Sequence, residues 1–160
     1  SQIAYYLKDS GTKLINSLGN ITGHGVAVFL EDAEINDTIP VLDLTTSSDL
    51  GKGKIVLALK GTSVFNYTKD IKTGNSVGSH YAVALYTDGQ NLSSGISNNL
   101  TAGENGVGIY AQNGSNIKYS GIINVGNNTI AATGVYIGTN IGVGSSVNLD
   151  SAIINLNGAG

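Results

Sequence analysis

The sequence predicts an all-β fold, a right-handed parallel β-helix (a solenoid) of about six coils with roughly three short strands per coil. Three observations predict it. The surface is made of small polar residues rather than charged ones, a glycine-headed motif recurs along the chain, and an alternating apolar segment precedes each copy of the motif. We expect residues 1–160 to form a single β-helix segment.

The composition combines 41% hydrophobic residues with only 12% charged residues and 23 glycines. This apolar fraction is enough to fill a core, while Asn, Ser and Thr suit turns and Gly permits tight corners. Strong helix formers are scarce and no window shows helical periodicity, so we predict no helix. All eight basic residues are lysine and the formal net charge is −3, so nucleic acid is not expected as a partner.

The recurring motif is a tetrad of glycine, a small or polar residue, any residue, and an aliphatic residue. Copies begin at Gly11, Gly61, Gly89, Gly114 and Gly144, with a degenerate copy at Asp32. Successive starts are 21, 29, 28, 25 and 30 residues apart by subtraction of these positions. The average of about 27 residues is typical of one coil of a solenoid.

A strand-like segment with alternating side chains comes before each tetrad, as expected where every second side chain faces a core. These segments are residues 3–7, 26–30, 55–59, 83–86, 107–110 and 135–137. Another strand follows each tetrad, most clearly where Ile122–Val125 matches Ile153–Leu156. Each unit is therefore predicted as strand, glycine turn, strand, short turn, strand.

Units this short cannot bury their apolar side chains alone, and no helix intervenes that would make the crossovers of an α/β fold. Stacking unit on unit solves this problem, because equivalent strands then pair in parallel at about 4.8 Å. The general preference for right-handed parallel crossovers predicts the hand. An antiparallel sandwich or barrel is the rival fold, but it gives no reason for the tetrad to recur beside the same strand.

Two departures from the unit occur in its second copy. The segment Glu31–Glu34 replaces the glycine turn, and residues 36–50, which contain Pro40, fit the unit poorly. We therefore expect residues 36–50 to form a loop that projects from the rod.

Residues 106–115 (Gly-Val-Gly-Ile-Tyr-Ala-Gln-Asn-Gly-Ser) and 121–128 (Gly-Ile-Ile-Asn-Val-Gly-Asn-Asn) resemble passenger repeats of large monomeric (type Va) autotransporter adhesins, especially fusobacterial ones. The resemblance covers nearly the whole chain and is strongest after Gly78. It implies a monomeric passenger exported to the bacterial cell surface and outer membrane. It also implies attachment to a host cell-surface protein or glycan, or to partner bacteria, with a signal segment and a C-terminal membrane barrel outside these 160 residues.

The candidate binding residues are four aromatic side chains. If Leu7, Leu30, Leu85 and Ile109 point inward, then Tyr6, Phe29, Tyr86 and Tyr110 point outward on four coils. Ala58 interrupts this row, and Tyr136 is expected in a slightly different register. Such a row could stack against glycans or receptor side chains, or its rings could simply stack between coils and stabilise the strands.

Catalytic chemistry is not expected, and neither is a cofactor or a metal. The acids Glu31, Asp32 and Glu34 could cluster with Asp43, but solvated turn carboxylates are the simpler interpretation. Two strand spacings, roughly 10 Å, are expected to separate the histidines His24 and His80, too far apart to share a metal. The chain has no cysteine to supply thiolate ligands. Two alternatives to an adhesin stay open, a β-helical polysaccharide-degrading enzyme with its acids around Asp43, and a purely structural stalk.

Overall fold

The structure is a computed structural model that describes residues 2–16, 19, 21–45, 53–126, 132–139 and 142–157. Its described regular elements are all strands, and no helix in this part of the chain is long and apolar enough to cross a membrane. The strands are β1 (Ile3–Lys8), β2 (Gly25–Glu31), β3 (Glu34–Asn36), β4 (Leu42–Asp43), β5 (Lys54–Lys60), β6 (Val64–Asn66), β7 (Ile71–Lys72), β8 (Val83–Asp88), β9 (Asn91–Ile96), β10 (Leu100–Ala102), β11 (Val107–Gln112), β12 (Asn116–Tyr119), β13 (Ile122–Val125), β14 (Thr133–Ile137), β15 (Ser146–Asn148) and β16 (Ile153–Leu156).

Each strand pairs in parallel with the equivalent strand of the neighbouring coil. The first sheet has the order β1-β2-β5-β8-β11-β14, and the third has the order β16-β13-β10-β7-β4. The second face carries the pair β3-β6 and the three strands β15-β12-β9. This is a parallel β-helix, as predicted, and the named strands include none of the antiparallel pairs that a sandwich would need. The right hand of the winding stays a prediction.

The number of regular turns is slightly lower than the six expected. Five successive coils, from β2 to β16, carry a strand on each of the three faces. The last coil, β14 to β16, lies at an open edge of the stack. In the first coil, the described residues after β1 pair only through an isolated bridge between Lys13 and Glu34.

The tetrads lie at the turn between the first and second faces, as predicted. Gly61 adopts a φ of +68°, in the left-handed region that glycine tolerates best. Asp32, which replaces glycine in the degenerate copy, adopts a φ of 55°. Its carboxylate then accepts hydrogen bonds from the backbone N–H of Thr62 at 2.8 Å and from the Thr62 hydroxyl at 3.0 Å. A polar side chain that bonds to the next coil therefore offsets the strain of a non-glycine residue here.

The segment expected to project as a loop instead follows the coil over residues 36–45. Its strand β4 pairs with β7, and Ile39, Leu42 and Leu44 are buried in the common core. The Tyr67 hydroxyl donates to the Pro40 carbonyl at 2.6 Å and accepts from the Leu42 N–H at 3.1 Å. The expectation is corrected for these residues because the apolar side chains bury although the tetrad pattern fails. Residues 46–50 lie outside the described residues.

The first sheet departs from simple alternation in a way that shapes its outer surface. Gly108 and Ile109 are consecutive residues, yet Ile109 is buried in the core and a Cβ on Gly108 would point at the core residue Ile123. The residues on either side, Val107 and Tyr110, both line the outer surface. Each coil can therefore present two outward side chains that are three positions apart.

Gly108→Ala is expected to lower the free energy of unfolding by about 1–3 kcal/mol. The new Cβ would lie 2.5 Å from Ile123 Cγ2 and 2.6 Å from the Gly134 carbonyl oxygen, within a backbone that the neighbouring coil holds in place. Urea denaturation followed by circular dichroism measures the change. Gly144→Ala is the matched control, because no atom lies within 4 Å of its added Cβ, and it should change stability by less than about 0.5 kcal/mol. Equal losses in the two variants would contradict this account.

Candidate functional site

The four predicted aromatic residues occupy one row on the outer surface of the first sheet. The strand register aligns Tyr6 with Phe29, and Tyr86 with Tyr110. Ala58 pairs with both Phe29 and Tyr86, so it interrupts the row as predicted. Tyr136 pairs directly with Tyr110, which corrects the expected shift of register. The inward residues Leu7, Leu30, Leu85 and Ile109 are buried, as predicted.

The rings of the row pack against each other, tilted by 38° between Tyr6 and Phe29 and stacked between Tyr86, Tyr110 and Tyr136. Centroids lie 5.2 Å apart for Tyr6 and Phe29, 5.4 Å for Tyr86 and Tyr110, and 4.5 Å for Tyr110 and Tyr136. Neighbouring rings cover both faces of Tyr110, so it presents mainly its edge and its hydroxyl group to solvent. The row therefore stabilises coil stacking, and what it offers to a ligand is ring edges and hydroxyls more than ring faces.

Ala58 divides the row without leaving an open slot. Its side chain is only 1% exposed, so neighbouring side chains cover the place where a ring is missing. The row thus has two separate parts, the pair Tyr6 and Phe29 and the trio Tyr86, Tyr110 and Tyr136, which we call the tyrosine trio.

A groove runs beside the tyrosine trio. Its floor is the second outward row, in which Val107 pairs with Val83 on one side and with Thr133 on the other. The cavity has a volume of about 440 Å³, and Ile55 and Tyr81 complete its lining. All the described lining residues are uncharged. The groove therefore suits a neutral ligand that combines apolar contact with a few hydroxyl hydrogen bonds.

A second cavity, of about 680 Å³, continues from the groove towards β1, because Ile55 and Tyr81 line both. Its lining includes the two histidines, and their rings are stacked with centroids 4.2 Å apart. The expected separation of roughly 10 Å was wrong. Gly53 explains the difference: a Cβ there would lie 2.5 Å from His80 Cβ and 3.1 Å from His24 Nδ1, so this glycine leaves space for the rings to meet.

Stacked imidazoles are poorly placed to chelate one metal ion, because the lone pairs of two nearly parallel rings do not converge. The rings are inclined by only 17°. Within the described residues, no group of three or more His, Cys, Asp or Glu side chains could hold a metal. The contact is better explained as a packing interaction that holds residue 80 against the rod.

Each candidate acid has a local partner. The Tyr6 hydroxyl donates to Glu31, and this bond, aided by Lys60, lowers the pKa of Glu31. Glu34 forms an ion pair with Lys13 at 3.3 Å. Asp43 lies on a different face and accepts a hydrogen bond from the backbone N–H of Thr45 at 2.9 Å. The structure therefore separates Asp43 from the acids of the turn with which it was expected to cluster.

Charged residues form a row of their own beside the aromatic one. Lys8 pairs with Glu31, Glu31 with Lys60, and Lys60 with Asp88, so the signs alternate from coil to coil. At the next coil, Gln112 takes the place of a charge. The charged row thus accompanies the first part of the aromatic row and ends where the tyrosine trio begins.

Sequence reasoning missed the floor of the groove. The signal was present, since an aliphatic residue or Thr133 stands three positions before each tyrosine of the trio, with Val83 before Tyr86. Under strict alternation, residues three positions apart point to opposite faces of a strand. The three-residue spacing therefore indicates a shared outer face only when the two residues between are known to point inward together.

Comparison with protein-family models, curated proteins and solved structures found no match to this chain. The geometry of the groove, and the fold that positions it, are the features of this chain that bear on function.

The pKa of the Tyr86 phenol provides a test of whether this side chain is buried. Burial raises the pKa of Tyr86 to about 12 from its ordinary value of 10.0. The unfolded chain releases this proton near pH 10 and the folded chain near pH 12, so the free energy of unfolding should fall across this window. Urea denaturation at a series of alkaline pH values should show a shallower fall for Tyr86→Phe than for the unaltered chain. An identical slope in the two proteins would contradict the burial of this hydroxyl.

Proposed function

We propose that this chain is a passenger segment of a surface-displayed bacterial adhesin of the monomeric autotransporter class. It mediates or supports attachment to host cells or to other bacteria, as a monomer held at the outer membrane by segments outside these 160 residues. The partner is a host cell-surface protein or glycan, or a component of a partner bacterium. The repeat resemblance, together with the parallel β-helix fold, supports this proposal.

The observation that carries the proposal is the uncharged groove beside the tyrosine trio. Tyrosine offers a large amphipathic contact with few rotatable bonds, and it is enriched at the energetic centres of protein interfaces. Apart from Tyr81, the lining residues of the groove lie on paired strands, so a ligand would not have to order them on binding. A site of this kind suits adhesion.

The proposed role is non-catalytic. The acids that an enzyme of polysaccharide degradation would need are engaged in the turn and on a separate face, as described for Glu31, Glu34 and Asp43. Nucleic acid is not proposed as a partner, since the chain has no arginine.

A structural stalk is the second candidate, and the ring stacking favours it. Because Tyr110 is covered on both faces by Tyr86 and Tyr136, much of the tyrosine surface is already used within the rod. In this case the segment holds a contact region elsewhere in the protein away from the cell.

Binding of the purified chain to cultured cells, bacterial cells and a glycan panel tests the proposal. Tyr110→Ser removes the centre of the tyrosine trio and is expected to weaken saturable binding at least about tenfold, as for a residue at the centre of an interface. It should also lower the melting temperature by a few degrees, because two ring stacks are lost.

Phe65→Ser is the matched control, since it removes a half-buried ring from the second face and leaves the groove intact. It should lower the melting temperature and preserve binding. Equal loss of binding in both variants would mean that stability, and not the groove, determines attachment. A folded chain that binds no surface would instead favour the stalk, and turnover of a glycan would favour the enzyme.

A further inference from the structure

The hydroxyl groups of the tyrosine trio differ in which hydrogen bonds they can still form with a ligand. The Tyr86 hydroxyl accepts a hydrogen bond from Gln112 Nε2, which is its only hydrogen-bonding partner in the described part of the chain, so its own proton is left to donate. The Tyr110 and Tyr136 rings stack with centroids 4.5 Å apart, and burial together with this neighbour raises the pKa of Tyr110. Tyr136 is 47% exposed, so its hydroxyl group can donate to a ligand. Within the tyrosine trio, the O–H donors left for a ligand are therefore Tyr86 and Tyr136; Tyr81 and Thr133 add hydroxyl groups elsewhere in the lining.

These two donors lie two coils apart, because Tyr86 pairs with Tyr110 and Tyr110 with Tyr136. At the spacing of about 4.8 Å between neighbouring strands, they are separated by about 9.6 Å along the axis of the rod. The groove floor of Val83, Val107 and Thr133 runs in the same direction. A ligand that uses both donors must therefore present acceptors about 9.6 Å apart on one side of a narrow, extended shape.

Among regular peptide backbones, polyproline II matches this spacing. It rises about 3.1 Å per residue with three residues per turn, so carbonyls of residues i and i+3 point the same way about 9.3 Å apart. A β-strand also covers about this distance in three residues, but alternate residues point to opposite sides, so its carbonyls i and i+3 face away from each other. The carbonyls of an α-helix are bonded within the helix.

Charge and polarity favour the same ligand over a sugar. The described lining is uncharged, and the charged row ends at Asp88, before the groove reaches Tyr110. A polyproline II segment brings apolar side chains for the valine floor and carbonyl acceptors that have no internal hydrogen bonds. An oligosaccharide would bury hydroxyl groups against Val83 and Val107, and leaving buried polar groups without partners is costly. The groove complements a neutral ligand with acceptors along one edge.

We propose that the groove binds a proline-rich segment of a protein partner in the polyproline II conformation, lying along the rod axis, with Tyr86 and Tyr136 donating to carbonyls three residues apart. This inference rests on the proposed adhesive function, for which it names the partner class. Aromatic-lined grooves recognise polyproline II segments because these segments are preformed and lose little entropy on binding.

The test is fluorescence anisotropy of the purified chain with a labelled decaproline peptide, and with a glycine-serine peptide of equal length. Saturable binding is expected for decaproline only. Tyr86→Phe and Tyr136→Phe keep the rings and remove the donors, so each should weaken binding about fivefold and the pair about 25-fold. Thr101→Val, which removes an outward hydroxyl from the third sheet, is the matched control and should bind like the unaltered chain. Circular dichroism melting curves check that all variants fold.

Three results would overturn the inference: no saturable binding of decaproline, equal binding of the glycine-serine peptide, or unchanged affinity when both hydroxyls are removed from a folded chain. The cell-binding experiment separates this failure from failure of the adhesive function. Cell attachment lost in Tyr110→Ser without decaproline binding rejects the polyproline II ligand and keeps the adhesin. Decaproline binding with no attachment to any cell surface rejects the adhesin and keeps the peptide site.

Discussion

The packing of each coil on the next, at the spacing of parallel strands, is the constraint on which the rest of the structure depends. Its effect is visible at the open edge: Ile123 is fully buried beneath a further coil, whereas Ile154, its paired residue in the last coil, is 38% exposed. The same spacing stacks the outward rings and sets the distance between equivalent hydroxyls. The buried core, the aromatic row and the groove all result from this one spacing between neighbouring coils.

Departures from the repeat are as informative as the repeat itself. Asp32 takes the left-handed conformation of a glycine and offsets its strain with hydrogen bonds to Thr62 in the next coil. Gly53 leaves a space that brings His24 and His80 together across a coil. In both places, the conformation or contacts of one residue depend on a residue about one coil away, because each coil lies directly on the previous one.

The groove depends on a local departure from side-chain alternation in the first sheet. A small residue such as Gly108 lets two consecutive positions face the core, and this turns Val107 and Tyr110 to the same outer surface. The tyrosine rings then have two competing roles: they stack between coils, and their edges and hydroxyl groups line the groove that we propose as a ligand site. We infer that the site recognises its partner mainly through valine contacts and tyrosine hydroxyls.

The amino-acid sequence by itself determined the fold class, the strands of the first sheet, the turns and the outward aromatic residues, because a period-two pattern and a recurring tetrad depend only on local chemistry. It could not determine that residues 36–45 follow the coil, that Tyr136 lies in register with Tyr110, or that the histidines meet. The tertiary structure decided these points, and it also formed the groove. They depend on contacts between coils about 27 residues apart, where one small residue changes which side chains meet.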